Sequence, residues 1–587
     1  MIAAQLLFRA WALYGSWFRF DDANFMSVVL DDRVDLSTLA HGYAGHLTPG
    51  AFGVSWLNVK IAGLSWSLPA SELLVLQAIG DLGALVFLAS AFGLRPGILA
   101  PLALFLSTAL ALPAMISWGP GITQAPLIAV IFWGGWCHLH YLRTRRLRWA
   151  VVTMTITAAG LLFGEKTLLV FWLYAFLALA YFASGDSIAR LRHVFRSYRS
   201  GVVLYGIVAV AYLVWYVEAA LNYDPGSSTR QPLLPLIGNL VGISWATGVV
   251  GGPFRWVFQP GQSAGTASPG QLFMLAALAV LAIVGLEISR RRLRSKRAWL
   301  LVALFLASDV LLISSARSLM GPALALFSRY VTEMAAVSAI ALALACLPLR
   351  GAVETVEVIP GDGFLERPAR ITAAIAVVAA LGTFSSTTYA RDWHDHDLTK
   401  LWFDHVRGDI VAHPSQRTLI DTAVPSWMIW GAAYPDNMVR SVLHQWSKHI
   451  AFDRITQDEV DIVAGDGHIR PALITPVRHD VGGADRGCSF PERGGRIIVP
   501  LDGPVLGYGW WVKVSYYSAT ATPLTVQAGS LHHETVVDPG LHSLYFPASG
   551  ERFSTLDFTS IANASGFCIT DVQLGKPEAA PDTNGKS

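Results

Sequence analysis

Charged side chains are scarce in this 587-residue chain, since Asp, Glu, Lys and Arg together make up 14% of it. Hydrophobic residues make up 53%, and the mean hydropathy is +0.46. Soluble domains carry about 25% charged residues, so this composition excludes an ordinary soluble enzyme and concentrates the polar residues in loops. The formal net charge is only +2, and no nucleic-acid partner is predicted.

Several motifs are also lacking. The apolar segments contain neither a Walker loop nor a G-x-G-x-x-G turn after a strand, so a cytoplasmic nucleotide-sugar donor is not indicated. There is no internal repeat and no pair of Gly/Pro-broken segments in corresponding halves. That absence counts against a transporter, which stays open as an alternative function.

Long apolar runs are abundant in the first two thirds of the chain. A run of roughly 17 to 25 apolar residues can cross a bilayer, and about eleven such spans are predicted before residue 390. Most of the remaining sequence is polar. The predicted spans cover residues 1–17, 71–92, 97–117, 121–141, 149–163, 167–184, 201–220, 271–289, 298–315, 330–348 and 371–390.

Three short basic loops set the predicted orientation. They are "RTRRLR" from Arg143, "RLRHVFRSYR" from Arg190 and "RRRLRSKR" from Arg290. Basic loops face the cytoplasm, which makes the N-terminus cytoplasmic and puts the first loop, the loop 222–270 and everything after Ala390 outside. We expect a multi-pass protein of the cell membrane without a cleaved signal peptide.

The cysteines agree with this topology. Cys137 and Cys346 lie in predicted spans, where a buried thiol is the simplest interpretation. Cys488 and Cys568 flank the last polar region, in the compartment where disulfides form, and are predicted to be bonded.

The external part changes character along its length. Residues 391–484 are predicted to be a mixed α/β linker segment, and residues 576–587 a disordered tail. Between them, residues 485–575 show short alternating runs such as "RIIVPL" and "WWVKVSYY", which predict a jelly-roll-like β-sandwich. Such a domain either binds glycan or is a structural cap. The fold class is therefore a polytopic α-helical membrane domain, residues 1–390, followed by an extracytoplasmic β-sandwich.

Ionisable residues from distant segments converge on the predicted external face. Ionisable groups at the edge of the hydrocarbon are costly and are functional candidates. A carboxylate there can take a proton from an attacking hydroxyl, while cations stabilise a phosphate leaving group. The candidates are Asp21 and Asp22 in "FRFDDANF", His41 and His46 in "HGYAGHLTPG", Glu165 and Lys166 in "FGEKTLLV", Arg317 in "SSARSLMGP", and Arg329, Tyr330 and Glu333 in "LFSRYVTEM".

The run "FRFDDANF", the many spans and the external β domain together resemble the GT-C superfamily of integral-membrane glycosyltransferases. The segments "DDANF", "GHLTPG", "GEKTLLV" and "SRY" are also similar to uncharacterised actinobacterial membrane proteins of this type. The resemblance implies inverting transfer of a sugar, such as mannose or arabinose, from a polyprenyl-phosphate donor. The implied acceptor is a cell-envelope glycan, lipid or protein.

The resemblance also implies roles for the candidate residues. In the superfamily an acidic motif of the first external loop supplies the base, which makes Asp21 or Asp22 the base here and leaves the choice open. Adjacent residues at a helix end point in different directions, so one is expected to act in chemistry and the other to position a partner. The remaining roles are donor-phosphate binding for His46, Lys166 and Arg329, and acceptor binding or positioning for Glu165, Tyr330, His41 and Arg317.

Two questions stay open at this point. Some superfamily members need a divalent cation, so Mg²⁺, Mn²⁺ or Ca²⁺ is a possible cofactor, and the first loop also carries Asp31 and Asp32. The run from His394 to Asp397 looks like a metal site, but residues at consecutive helical positions point around the circumference, which favours a solvated face. A non-catalytic glycan-binding or assembly protein is the second alternative to an enzyme.

Overall fold

The computed structural model has two compact units, Met1–Asp397 and Leu398–Ser587. The structure describes residues 1–19, 21–22, 25, 29, 35, 39, 42, 45–63, 65–220, 232–258, 264–316, 321–360, 367–395, 397–413, 417–429, 431, 434–435, 437–443, 450–482, 488–492, 494–506, 509–549, 552–560 and 566–581.

The first unit is almost entirely helical. Its α-helices are α1 (Ile2–Tyr14), α2 (Pro49–Ala62), α3 (Ser67–Phe92), α4 (Leu99–Ser107), α5 (Leu112–Met115), α6 (Trp118–Ala129), α7 (Gly135–Thr144), α8 (Leu147–Leu161), α9 (Val170–Tyr181), α10 (Ser187–Ser197), α11 (Arg199–Ala220), α12 (Leu233–Ile237), α13 (Thr247–Val249), α14 (Gln271–Arg291), α15 (Lys296–Ala316), α16 (Met334–Cys346) and α17 (Pro368–Asp395).

Shorter elements join these helices. The 3₁₀ turns are Pro96–Ile98, Ala109–Ala111, Glu165–Leu169, Gly321–Leu326 and Ser328–Val331, and π-helical segments cover Val130–Gly134 and Gly238–Ala246. Two small antiparallel ribbons pair β1 (Trp256–Val257) with β2 (Thr266–Ala267) and β3 (Arg292–Leu293) with β4 (Glu357–Val358).

Within the described residues, seven helical segments are long and apolar enough to cross a membrane. This finding confirms the prediction of a multi-pass membrane protein, while four further apolar helices are shorter, including α1 and α16. The seven are Ser67–Phe92, Pro96–Met115, Trp118–Thr144, Arg199–Ala219, Gln271–Arg291, Lys296–Ser314 and Ala369–Ala412.

One helical segment was not predicted. The structure forms an apolar helix over Leu233–Val249, inside the loop 222–270 that the sequence assigned to the exterior. Pro235 and several glycines interrupt its apolar run. These interruptions divide the apolar run, so a search for continuous apolar spans did not detect it.

A core of large aromatic side chains holds the end of α1 in place. Trp118 at the start of α6 and Trp393 near the end of α17 are fully buried in the same apolar cluster as Leu13 of α1. The Trp393 indole donates a hydrogen bond to Ser16 Oγ at 2.6 Å, and that hydroxyl in turn donates to the carbonyl of Ile116 at 3.2 Å. These contacts fix the segment that leads directly into the Asp21/Asp22 loop.

The second unit is β-rich. It begins with the helix α18 (Leu398–Ala412) and contains one further short helix, α19 (Val439–Val442). Its strands are β5 (Arg417–Leu419), β6 (Ile450–Phe452), β7 (Thr456–Gln457), β8 (Asp461–Val463), β9 (Ile469–His479), β10 (Phe490–Pro491), β11 (Arg496–Val505), β12 (Trp510–Ser518), β13 (Thr522–Ala528), β14 (Leu531–Val537), β15 (Gly540–Ala548), β16 (Phe553–Ser560) and β17 (Phe567–Ala579).

Two sheets enclose the core of this unit. The larger has the order β6-β5-β8-β9-β17-β12-β15-β7 with β10 on β17, and the smaller has the order β11-β16-β13-β14. Alternating residues of both sheets enter one buried cluster, including Val499, Val514, Val526 and Phe546. This is the face-to-face packing of a β-sandwich.

The unit boundaries differ from the predicted domain boundaries. The units divide after Asp397, whereas the predicted boundary at residue 390 falls inside α17. Residues of the predicted linker segment join the sandwich because β9 pairs with β17, and β17 continues to Ala579 in the predicted tail. Backbone pairing between strands distant in sequence produces this arrangement, and the alternating pattern of β17 alone does not reveal its partner.

The predicted disulfide is present between Cys488 and Cys568. It joins the segment before β10 to β17, with the Cα atoms 5.7 Å apart and a sequence separation of 80. Closing so long a loop restricts the unfolded chain.

We expect the Cys488→Ser, Cys568→Ser double variant to lower the stability of the β-rich unit by about 2–5 kcal/mol. Urea-dependent protease resistance of fragments from this unit, in the full chain, measures the change. The Cys137→Ser, Cys346→Ser variant is the matched control, because both of its cysteines are free. Equal resistance of all three proteins would contradict the prediction.

Candidate functional site

Asp22 is completely buried and caps another helix. Its Oδ1 accepts hydrogen bonds from the Gly119 backbone N–H at 2.6 Å and from Ser117 Oγ at 3.2 Å, and its Oδ2 accepts one from the Arg19 backbone N–H at 2.8 Å. Gly119 lies in the first turn of α6, and the N-cap residue Ser117 provides no side-chain cap of its own. Because helix N-termini favour acceptors and negative charge, Asp22 is well suited to anchor the loop to α6.

Burial raises the pKa of the Asp22 carboxyl from its ordinary value of 3.8 to about 7, although its three hydrogen bonds act in the opposite direction. The folded protein therefore holds this proton more tightly than the unfolded chain does. The stabilisation from this group is complete below about pH 4 and is lost as the pH rises to about 7.

We therefore expect the Asp22→Asn variant to have a flatter stability profile than the unmodified protein between about pH 4 and pH 7. The unmodified protein should lose at most about 1.4 kcal/mol of unfolding free energy per pH unit through this group, and the variant should not show that loss. Thermal unfolding in detergent across this range measures both profiles. Parallel profiles would contradict the assignment of this titration to Asp22.

Asp21 directly precedes Asp22 in the chain but has a different environment. Its side chain is 27% exposed, and its Oδ2 forms an ion pair with Nη1 of Arg329. A positive charge in direct contact with a carboxylate favours its ionised form. The structure thus separates the two acids, one buried under α6 and one accessible beside a cation.

Arg329 lies in the 3₁₀ turn just before α16, and its side chain is 9% exposed. Besides the ion pair, its Nη2 donates to the Tyr330 hydroxyl at 3.2 Å, and its guanidinium carbon lies 5.1 Å from the centroid of the Tyr330 ring. Burial acts to lower the pKa of Arg329, but Tyr330 and Asp21 raise it, so the guanidinium remains charged. A rigid cation therefore lies next to the accessible carboxylate.

Lys166 is bonded to three acceptors from other segments. Its Nζ lies 2.6 Å from Oε1 of Glu333 and 3.1 Å from Oδ1 of Asp309, and it donates to the Tyr330 carbonyl at 2.5 Å. Both carboxylates are inaccessible to solvent. The ammonium group is therefore held by one backbone carbonyl and by two buried counter-charges.

Glu165 and His46 form a second pair beside this cluster. Oε1 of Glu165 lies 2.6 Å from Nδ1 of His46. Burial acts to raise the pKa of Glu165, but His46 together with the backbone N–H groups of Glu165 and Leu47 outweighs it, and the pKa is lowered. The segment of His46 is held by α11, because the Tyr216 hydroxyl donates to the carbonyl of Gly45 at 3.0 Å.

The structure therefore connects seven of the candidate residues. Asp21 contacts Arg329, Arg329 contacts Tyr330, Lys166 contacts the Tyr330 carbonyl and Glu333, and the neighbouring Glu165 contacts His46. Asp22 lies outside this series of contacts and bonds to α6 instead. The other residues singled out in the sequence, His41, Arg317, Asp31 and Asp32, lie outside the described residues.

Some contacts were not predicted. Asp309 lies in the apolar run "LFLASDVLLIS" of α15, and a single carboxylate in a membrane span is a recognised functional signal that would have identified it. Glu72 was also missed; its Oε2 accepts hydrogen bonds from Asn58 Nδ2 at 2.8 Å and from the Trp118 indole at 3.1 Å. No simple sequence signal indicates that contact.

In the described part of the chain, no three His, Cys, Asp or Glu side chains are grouped to bind a metal ion. His394 contacts the Ala12 carbonyl at 2.8 Å, and Asp397 lies 3.4 Å from the guanidinium of Arg19. These two members of the His394 to Asp397 run therefore have structural partners within the first unit.

Comparisons with known proteins find similarity to solved structures only at the level of the fold. No protein-family model and no curated protein sequence matches the chain. The cryo-EM structure of arabinofuranosyltransferase AftD from Mycobacteria is similar with a TM-score of 0.36 and 9% identity, over 98% of this chain and 59% of that chain. A mutant of that enzyme gives a TM-score of 0.35 and 10% identity, over 98% and 61%. This chain thus spans about three fifths of the length of those chains.

Proposed function

We propose that this chain is a membrane glycosyltransferase of the GT-C type. It transfers a sugar, mannose or arabinose, from a polyprenyl-phosphate donor to a glycan, lipid or protein acceptor of the cell envelope. The supporting observation is the Asp21–Arg329 ion pair, which places an accessible carboxylate beside a buried, permanently charged cation. The cell membrane is the site of the reaction, at the external face that the basic loops predict.

Asp21 is the base in this proposal. The acceptor hydroxyl oxygen attacks the anomeric carbon of the donor sugar and loses its proton to the Asp21 carboxylate. The bond between that carbon and the phosphate oxygen breaks, and its electron pair leaves with the polyprenyl phosphate. Attack from the face opposite the leaving group inverts the anomeric configuration. Arg329 keeps Asp21 ionised before the reaction and stabilises the phosphate charge that develops during it.

The contacts of Lys166 favour a role other than the predicted phosphate binding. Its ammonium group is ion-paired with two buried carboxylates and donates to the Tyr330 carbonyl, so we propose that it positions the Tyr330 backbone, and with it Arg329. In this proposal, His46 and Glu165 orient the donor or the acceptor. Tyr330 offers an aromatic face on which a sugar can stack.

The direct experiment uses the purified full chain in nanodiscs, a panel of radiolabelled polyprenyl-phosphate sugars and an envelope extract as acceptor. Movement of label to the acceptor supports the proposal and identifies the sugar. Consumption of no donor in the panel, with the protein folded, would overturn it. Parallel reactions with Mg²⁺, Mn²⁺ or Ca²⁺ and with a chelator test for a divalent cation.

A further inference from the structure

An elongated apolar groove of about 510 Å³ lies between α9 and α11, away from the Asp21–Arg329 pair. On α11 it extends from Gly201 to Leu213, which at about 1.5 Å per residue is about 18 Å, the length of a fatty acyl chain. Leu191 and Phe195 of α10 line one end, and Leu168 and Leu169 line the other. Its walls are almost entirely hydrocarbon and aromatic surface.

The α10 end of the groove is strongly basic. Arg192, Arg196 and Arg199 are exposed and have no partner among the residues that the structure describes. A second basic loop adjoins them, because the Arg145 guanidinium lies 5.6 Å from the centroid of the Tyr198 ring. Unpaired cations at the rim of an apolar groove are complementary to a lipid with an anionic head group.

Helix α10 itself has the features of an interfacial helix. Its apolar residues Ile188, Leu191 and Phe195 are 69%, 49% and 54% exposed, and they are spaced to form one helical stripe beside the arginines. Such a helix lies in the plane of the membrane interface with its apolar side toward the acyl chains. The basic end of the groove is then at head-group depth, on the side that the basic loops predict to be cytoplasmic.

Among the described residues, the other end of the groove has no comparable cluster of unpaired cations. Leu168 and Leu169 belong to the same 3₁₀ turn as Glu165 and Lys166, but those two side chains are engaged with His46 and with the buried carboxylates. The free positive charge is therefore at the α10 end. This polarity points to a lipid whose head group faces the basic loops, and not to one whose phosphate faces Asp21 and Arg329.

We propose that this groove is a binding site for one acyl chain of an anionic glycerophospholipid, whose phosphate is held by Arg192, Arg196 and Arg199. The site is independent of the proposed transfer reaction and lies toward the opposite membrane face. Its occupant supports the packing of α10 and α11 against α9.

The test uses native mass spectrometry of the purified full chain from nanodiscs with equal amounts of phosphatidylglycerol and phosphatidylcholine. We expect phosphatidylglycerol to remain bound at least about fivefold more often than phosphatidylcholine, because phosphatidylglycerol has a net negative charge whereas the choline cation of phosphatidylcholine offsets its phosphate charge. Ala175→Trp, which fills the groove, should remove the bound lipid, and Arg192→Gln with Arg196→Gln should remove the preference.

Matched controls separate the groove from the general lipid surface. Ala279→Trp places the same bulk on the exposed side of α14, and Arg290→Gln with Lys296→Gln removes two charges from a different basic loop. Both controls should retain phosphatidylglycerol like the unmodified protein. Equal retention of the two lipids, no effect of Ala175→Trp, or polyprenyl phosphate displacing phosphatidylglycerol would overturn the proposal.

Discussion

Replacing Asp21 by asparagine should lower sugar transfer by at least about a hundredfold, since removing a positioned base costs about 10² to 10⁴ in rate. Asparagine has nearly the same shape as aspartate but cannot accept the proton of the attacking hydroxyl. The asparagine amide oxygen can still accept the hydrogen bond from Arg329, so the guanidinium keeps a polar partner although it loses its counter-charge. Thermal unfolding in detergent checks that the variant is folded before its transfer rate is compared.

The control for this substitution is Asp35→Asn, which changes an exposed acid of the same loop region. Its transfer rate should remain within about twofold, because surface substitutions away from the site have small effects. Arg329→Gln provides an independent check. It should also reduce transfer strongly, since removing one charge-stabilising donor typically costs about 10² to 10³ in rate. A full rate of sugar transfer in the Asp21→Asn variant would show that Asp21 is not the base.

Replacing Lys166 by methionine should destabilise the helical unit by about 3–5 kcal/mol, the typical cost of leaving a buried charge uncompensated. Asp309 and Glu333 are both inaccessible to solvent and share this single ammonium group. Removing it leaves two carboxylates facing each other without a cation. Thermal unfolding in detergent, together with the fraction of protein that elutes as a single species, measures the loss.

A compensated variant keeps this prediction testable even when the single variant does not fold. Lys166→Met combined with Asp309→Asn and Glu333→Gln replaces the charged cluster by neutral groups of similar size. Because the penalty comes from unpaired charge and not from lost volume, the triple variant should regain most of the stability. A triple variant as unstable as the single one would show that the loss arises from packing.

The roles of Asp21 and Asp22 could be predicted from the sequence only in part. The sequence indicated that the two acids have different roles, but the choice depends on Gly119, which is 97 residues away. Nothing in "FRFDDANF" indicates that the second acid will be covered by the start of α6. Only the packing of α6 over the loop distinguishes the two acids.

The Lys166 cluster shows the same limit. Reading "FGEKTLLV" as a local motif suggested a phosphate-binding lysine, whereas the structure pairs Lys166 with carboxylates from α15 and from the residue before α16. By contrast, the Cys488–Cys568 disulfide and the β-rich unit were predictable, because compartment and strand alternation are local properties of the sequence. Charge pairing between residues distant in sequence is not a local property and could not be predicted in this way.

The most direct test of the central claim compares donor binding with turnover in the Asp21→Asn variant. A radiolabelled polyprenyl-phosphate sugar that supports transfer by the unmodified protein is used for both measurements, in nanodiscs. The account predicts that donor affinity stays within about threefold while turnover falls at least about a hundredfold, the pattern of a group that acts in the transition state. Turnover that is retained, or that falls only in proportion to donor binding, would contradict the assignment of Asp21 as the base.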